Sequence, residues 1–194
     1  MGIKHSWIAI QGLKPEQALA ALEMEVAEVI PPNYLPDGIG MAELPDDWLL
    51  FVADRKFSAL EGKLVALASF GPAVACDISE VVMCSEAHGF ENGKEVWRVA
   101  YDCEKGRYAL DIQGNPPPQL QAIHDALRAE QEAEGGEEAG VDIMFDTPAK
   151  LAQSICGFML GESEREGLRY SELQRIGGAP LRKPGFFARL FGGG

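Results

Sequence analysis

The sequence predicts an α+β domain: an antiparallel β-sheet, with a central meander over about residues 81–112, and helices packed on one face. Three observations lead there. Asn92-Gly93 marks a two-residue hairpin turn inside an alternating stretch, because both central positions of that turn need positive φ. Trp48-Leu49-Leu50-Phe51-Val52-Ala53 is an unbroken apolar run of strand length, the pattern of a strand covered on both faces. Helical apolar spacing recurs in separate stretches, and tight turns between short strands force antiparallel neighbours rather than parallel crossovers.

The elements follow in order. Residues 5–11, with Ile8 and Ile10 flanking the strand's middle and Gly12 closing it, form the first strand. Pro15 then suits a first helical turn, and Ala18, Leu19 and Leu22 continue at helical spacing. Near residues 24–30 the β-branched Val26, Val29 and Ile30 change the register to strand, and Pro31-Pro32 stops it. Residues 31–47 are rich in Pro and Gly, with a short edge strand at 38–44. The apolar run at 48–53 belongs at the centre of the sheet. Ser58 to Glu61 has the form of a capping box, and Leu60, Leu64, Leu67 and Ala68 make a stripe that Gly71-Pro72 ends.

In the hairpin, pairing Glu91 with Lys94 sets His88 opposite Trp97, Glu86 opposite Val99 and Cys84 opposite Tyr101. That register puts Glu86, His88, Trp97 and Tyr101 on the apolar face together with Leu110 and Ile112, and sends Arg98, Asp111 and Gln113 to the wet one. A one-residue slip would exchange the faces. Residues 116–134 read as a helix with Leu120, Ile123 and Leu127 inward. The acidic stretch around Gly135-Gly136 is expected to be loose, and 141–145 to add a strand. Thr147-Pro148 starts a last helix whose stripe, Leu151, Ile155, Phe158 and Met159, ends at Gly161. Ile10-Gln11-Gly12 recurs as Ile112-Gln113-Gly114, each before a proline and a helix, which local turn chemistry explains better than a duplication.

Residues 1–161 are therefore expected as a single α+β domain and 162–194 as a C-terminal extension. The extension ends in a tail, residues 181–194, with three basic and no acidic side chains and three of the nine phenylalanines. Its Phe186, Phe187, Leu190 and Phe191 fit three uses: docking on the acidic body, binding a partner, or resting on an anionic membrane surface.

The chain has 194 residues, with 17 basic against 30 acidic ones and a formal charge of −13. A length of this order supports a self-sufficient core. The charge repels a phosphate backbone, so nucleic acid is not an expected partner. No integral membrane segment and no secretory leader is legible, which makes a cytoplasmic location the expectation. The spacing of Cys76, Cys84, Cys103 and Cys156 matches neither a redox C-x-x-C pair nor a zinc knuckle, so reduced, mostly buried thiols are expected, with no metal site. No phosphate-binding glycine loop is present and no cofactor is expected.

The chemical candidates are few. Glu86 and His88 on one face are the pair that could tune each other for acid–base work, with Trp97 and Tyr101 as binding residues beside them. The plainer reading is a satisfied polar pair near the sheet edge. The function expected from charge, missing catalytic motifs and the basic-aromatic tail is a non-enzymatic protein-interaction module that neutralises a basic partner. The alternative is a small-ligand-binding protein or enzyme with a pocket around Glu86 and His88.

Overall fold

A computed structural model describes residues 4–32, 34–53, 61–163 and 166–177. The chain order is β1 (Lys4–Gln11), α1 (Pro15–Leu22), β2 (Met24–Val29), β3 (Ile39–Leu44), β4 (Trp48–Ala53), α2 (Glu61–Leu67), β5 (Ala73–Ser79), β6 (Cys84–Glu91), β7 (Lys94–Asp102), β8 (Leu110–Gly114), α3 (Gln119–Ala133), α4 (Thr147–Cys156) and β9 (Ser171–Arg175). The described strands form one antiparallel sheet in the order β2-β9-β3-β4-β1-β5-β6-β7-β8. The fold is α+β, as expected, and the meander β6-β7-β8 occupies one end of the sheet. Among the described residues no helix is long and apolar enough to cross a membrane.

β1 and β4 show why the interior holds. Every residue of β4 is buried, and its alternate side chains serve two cores. Trp48, Leu50 and Val52 join Trp7, Val74 and Val99 beneath α3 and α4, where Leu120, Leu151 and Phe158 pack on them. Leu49 and Phe51 join Ile8, Ile10 and Ala73 on the other side, under Ala18 and Leu22 of α1 and Leu64 and Leu67 of α2. The described helices therefore cover both faces rather than the one expected: α3 and α4 lie on one side, and α1 with α2 forms a second, smaller layer on the other. That second layer follows from the period-2 alternation within β1 and β4: each strand is apolar on both sides, and both sides need cover.

Several local expectations change. β9 lies between β2 and β3 and pairs with both, so β3 is an interior strand rather than an edge, and the folded body extends past 161 to Arg175. Buried Tyr170 and Leu173 anchor this return. Residues 141–145 give no strand; the chain bends there into a 3-10 turn at Met144–Asp146. The acidic stretch is tied down by the fully buried Gln131. Its amide donates to the carbonyls of Gly136 (2.9 Å) and Val141 (3.1 Å) and accepts from the Ile143 N–H (2.8 Å). A buried side-chain amide with these three bonds offsets the poor apolar content of the loop. α4 stops at Cys156, short of Gly161, because Gly157 takes φ +78 and its N–H closes on the Gln153 carbonyl at 2.8 Å. The repeated Ile-Gln-Gly ends β1 at the middle of the sheet and β8 at its edge, and the helices that follow pack on opposite faces; the likeness is local. The first three positions of the expected capping box, Ser58 to Leu60, lie outside the described residues.

Candidate functional site

α3 and α4 cover one side of the strands β5–β8; on the other side α2 reaches only Ala73, Ala75 and Phe90, and the rest of that face carries polar side chains. The ladder register sorts them into rows. Ser6, Asp77, Glu86, Ala100 and Asp111 stand side by side across five strands. The next row is Ile8, Ala75, His88, Arg98 and Gln113, and the next begins Ile10, Ala73, Phe90 and Glu95. Eight polar groups thus share one face without any of them being near in sequence to more than one other.

Five of them, from Glu95 to Asp111, form a continuous chain of contacts. The His88 Nδ1 lies 3.0 Å from Glu95 Oε2 and its Nε2 3.4 Å from Glu86 Oε2. Arg98 reaches the same Glu86 oxygen from Nε and from its terminal nitrogen, both at 3.0 Å, and turns its other nitrogen to Asp111 at 3.4 Å. Lys105 closes the row at 3.8 Å from Asp111. Ser6, itself buried, donates to Asp77. Burial works against the Arg98 guanidinium, but the hydrogen bond and charge of Glu86, followed by those of Asp111, outweigh it and hold its pKa above the usual value.

Beside this array, α2 leaves a cleft of about 360 Å³ against the sheet. Leu64 and Val65 of α2 form one wall, Ile8, Ala75 and Phe90 the apolar floor, and Ser6, Asp77, His88 and Glu95 the polar rim. The His88 ring stacks on Phe90 with centroids 6.4 Å apart. Both ring nitrogens of His88 face carboxylates, so the imidazole is not aimed at Ser6 or at a thiol, as a base that activates a nucleophile would be. The arrangement suits holding a ligand's charge.

The expected companions of Glu86 and His88 are elsewhere. The hairpin carries a bulge at Val96: Phe90 pairs with Glu95, yet Gly89 pairs with Trp97 and His88 with Arg98. From there toward Cys84 the register differs by one from the uniform pairing that Asn92-Gly93 implies, which sends Glu86 and His88 to the open face. Trp97 and Tyr101 point into the opposite core, 7% and 1% exposed. The Tyr101 hydroxyl donates to Asp142 at 2.6 Å, and burial, aided by that carboxylate, pushes its pKa up. Neither lines the cleft. A physical cause of the bulge is visible at Gly89, where a β-carbon would overlap the Trp97 indole; the flat ring needs bare backbone opposite it. The expected tail residues Phe186, Phe187, Leu190 and Phe191 lie outside the described residues.

Ser6, Asp77, Glu95, Arg98 and Lys105 were not among the expected site residues. The signal that could have found them is the glycine facing a tryptophan across the hairpin, which marks a bulge. Among the described residues no group of three or more His, Cys, Asp or Glu could hold a metal ion. Of the four thiols, Cys76 and Cys156 are buried, whereas Cys84 is half-buried and Cys103 exposed, so only two match the expectation of burial. Comparison of the chain with protein-family models, with curated proteins and with solved structures finds no match.

Proposed function

We propose that this protein is a non-enzymatic protein-interaction module that docks and neutralises a basic partner, one of whose cationic side chains enters the cleft between α2 and the sheet. The observation that carries this reading is the lining: an apolar floor of Ile8, Ala75 and Phe90 under a rim of Asp77, His88 and Glu95, with no lysine or arginine among the described lining residues. Lys and Arg have the complementary build, an apolar stem that ends in a charge. The nearby cations Arg98 and Lys105 are turned toward Glu86 and Asp111 instead. The net charge of −13 adds long-range attraction for such a partner and disfavours nucleic acid. Four free thiols fit a reducing compartment, and so a cytoplasmic location.

The test is calorimetric titration with an arginine-rich peptide and with the same peptide carrying citrulline, which keeps the shape and removes the charge. The arginine peptide is expected to bind, more weakly as salt rises, and Asp77→Asn with Glu95→Gln to cost roughly tenfold in affinity. Glu25→Gln with Glu28→Gln, on β2 at the far end of the sheet, serves as the control and is expected to change little. Equal losses in the two double variants, or equal binding of the citrulline peptide, overturn the assignment to the cleft.

The cleft's size favours a second reading, a small cationic ligand or an amine substrate held next to Glu86 and His88, since volumes of this order enclose small molecules. His88→Ala then abolishes binding of a free aryl-alkyl amine while the fold persists. A variant that only melts earlier and still binds the amine returns His88 to a structural role.

A further inference from the structure

The turn between β5 and β6 and the corner after β7 bring two thiols to one point. Cys84 is the first residue of β6 and pairs with Asp102, the last of β7; Cys103 follows at once, and its N–H donates to the Met83 carbonyl at 3.3 Å. Both side chains turn to the same acceptor, the carbonyl of Val82, with Cys84 Sγ at 3.4 Å and Cys103 Sγ at 3.7 Å. Residues directly opposite in an antiparallel ladder have Cα atoms ~4.5–5.5 Å apart, and one diagonal step stays within the ~7 Å that a disulfide can span. The β5–β6 turn carries an independent mark of strain: Met83 holds φ +48, a left-handed conformation that a side-chain-bearing residue seldom adopts. Val81 and Val82 beside it are 57% and 55% exposed.

We propose that Cys84 and Cys103 are a dithiol pair that closes as a disulfide on meeting a low-molecular-weight disulfide such as oxidised glutathione, stapling the start of β6 to the corner after β7. Cys103 is the entering thiol, being exposed, while burial, followed by the charge and hydrogen bond of Asp102, pushes the Cys84 thiol up. The Cys103 thiol gives its proton to solvent, and the thiolate attacks one glutathione sulfur. The glutathione S–S bond breaks, and one glutathione thiolate leaves. Cys84, deprotonated in its turn, attacks the Cys103 sulfur of the mixed disulfide and expels the second glutathione thiolate. The two released thiolates take up the two protons. The protein dithiol is thereby oxidised by two electrons, and one glutathione disulfide is reduced to two thiols.

Incubation of the full chain with oxidised glutathione, followed by alkylation and peptide mass spectrometry, tests this. The expected product is a Cys84–Cys103 cross-linked peptide, with Cys76 and Cys156 alkylated only after denaturation, and a Tm higher by on the order of 5 °C than that of the reduced chain. Cys84→Ser is expected to stop at a stable glutathione adduct on Cys103, since the resolving thiol is gone. Cys103→Ser is expected to leave Cys84 unmodified over the same time. A glutathione adduct on Cys103 that persists in the unsubstituted chain, or cross-links that pair either cysteine with Cys76 or Cys156, overturns the proposal. The two serine variants keep the test open even if the staple itself strains the turn.

Discussion

β4 and β6 belong to the same sheet, yet one is buried along its whole length and the other, from Cys84 to Gly89, only at alternate positions. β4 lies between layers: its side chains enter the α3/α4 core on one side and the α1/α2 core on the other. β6 has α4 on one side only, and its second face bears Cys84, Glu86 and His88. The difference lies in what covers each strand, not in the strand itself. Where both faces are covered, chemistry has no room; where a short helix such as α2 fails to reach across the sheet, a half-covered face remains, and polar groups from five strands meet on it. A cleft arises at the border between the two regimes, with apolar residues from the covered part and acids from the open part.

This contrast is open to direct attack, first in the covered part. Leu50 is fully buried among Trp7, Val52 and the helices above them. Leu50→Ala removes apolar contact and leaves a cavity that the two-layer packing cannot collapse, so a loss of about 3 kcal/mol is expected in urea unfolding. A loss near that expected of a surface substitution, about 0.5 kcal/mol, would mean that β4 is less enclosed than the two cores imply.

The next largest effect is expected at the switch between the regimes. Gly89→Ala pushes a methyl group into the Trp97 indole, and overpacking of this kind costs roughly 1–3 kcal/mol. More telling than the cost is what relieves it. If the indole sets the bulge, then Trp97→Leu added to Gly89→Ala recovers part of the loss, measured as a coupling energy in a double-mutant cycle. Strict additivity of the two substitutions would detach the bulge from the glycine.

The same switch explains how much could be read in advance. Apolar periodicity located β1, α1, β4 and α3 within a few residues, because each owes its form to its own pattern. Asn92-Gly93 located the hairpin, yet the site depends on parity, and one extra residue at Val96 inverts parity for every position beyond it. Glu86 and His88 were found as a pair because i, i+2 residues share a face in either register. Their partners were not, since Trp97 and Arg98 exchange faces with the bulge. β9 was missed for a different reason. Five residues, Ser171–Arg175, carry only Leu173 as a large apolar side chain, and the pairing that makes them a strand comes from β2 and β3, far away in sequence. Gln131 carries no signal in the sequence either: it stands among the acids of a helix end, although its amide organises the loop that follows.

The smallest effects sharpen the comparison most, because they ask what one chemical group does in each regime. Asp146 lies in the covered layer at the start of α4, and burial raises its pKa, against the pull of Lys150. A raised carboxyl pKa means that the folded state resists ionisation. Stability from the protonated form is full below the ordinary aspartate range and falls as pH rises through the higher folded value. Asp146→Asn is therefore expected to gain stability at neutral pH, by under about 1 kcal/mol, and the gain should disappear in acid, where both chains are uncharged at this position. Asp111 on the open face is the mirror experiment. It faces Arg98 at 3.4 Å and Lys105 at 3.8 Å in a solvated setting, where such pairs contribute about 0–1 kcal/mol. Asp111→Asn is expected to lose stability slightly at neutral pH, and added salt to shrink that loss. Opposite signs for one substitution on the two faces of a single sheet are what cover and its absence require; matching signs, with matching salt dependence, would mean that both carboxylates share one solvent environment.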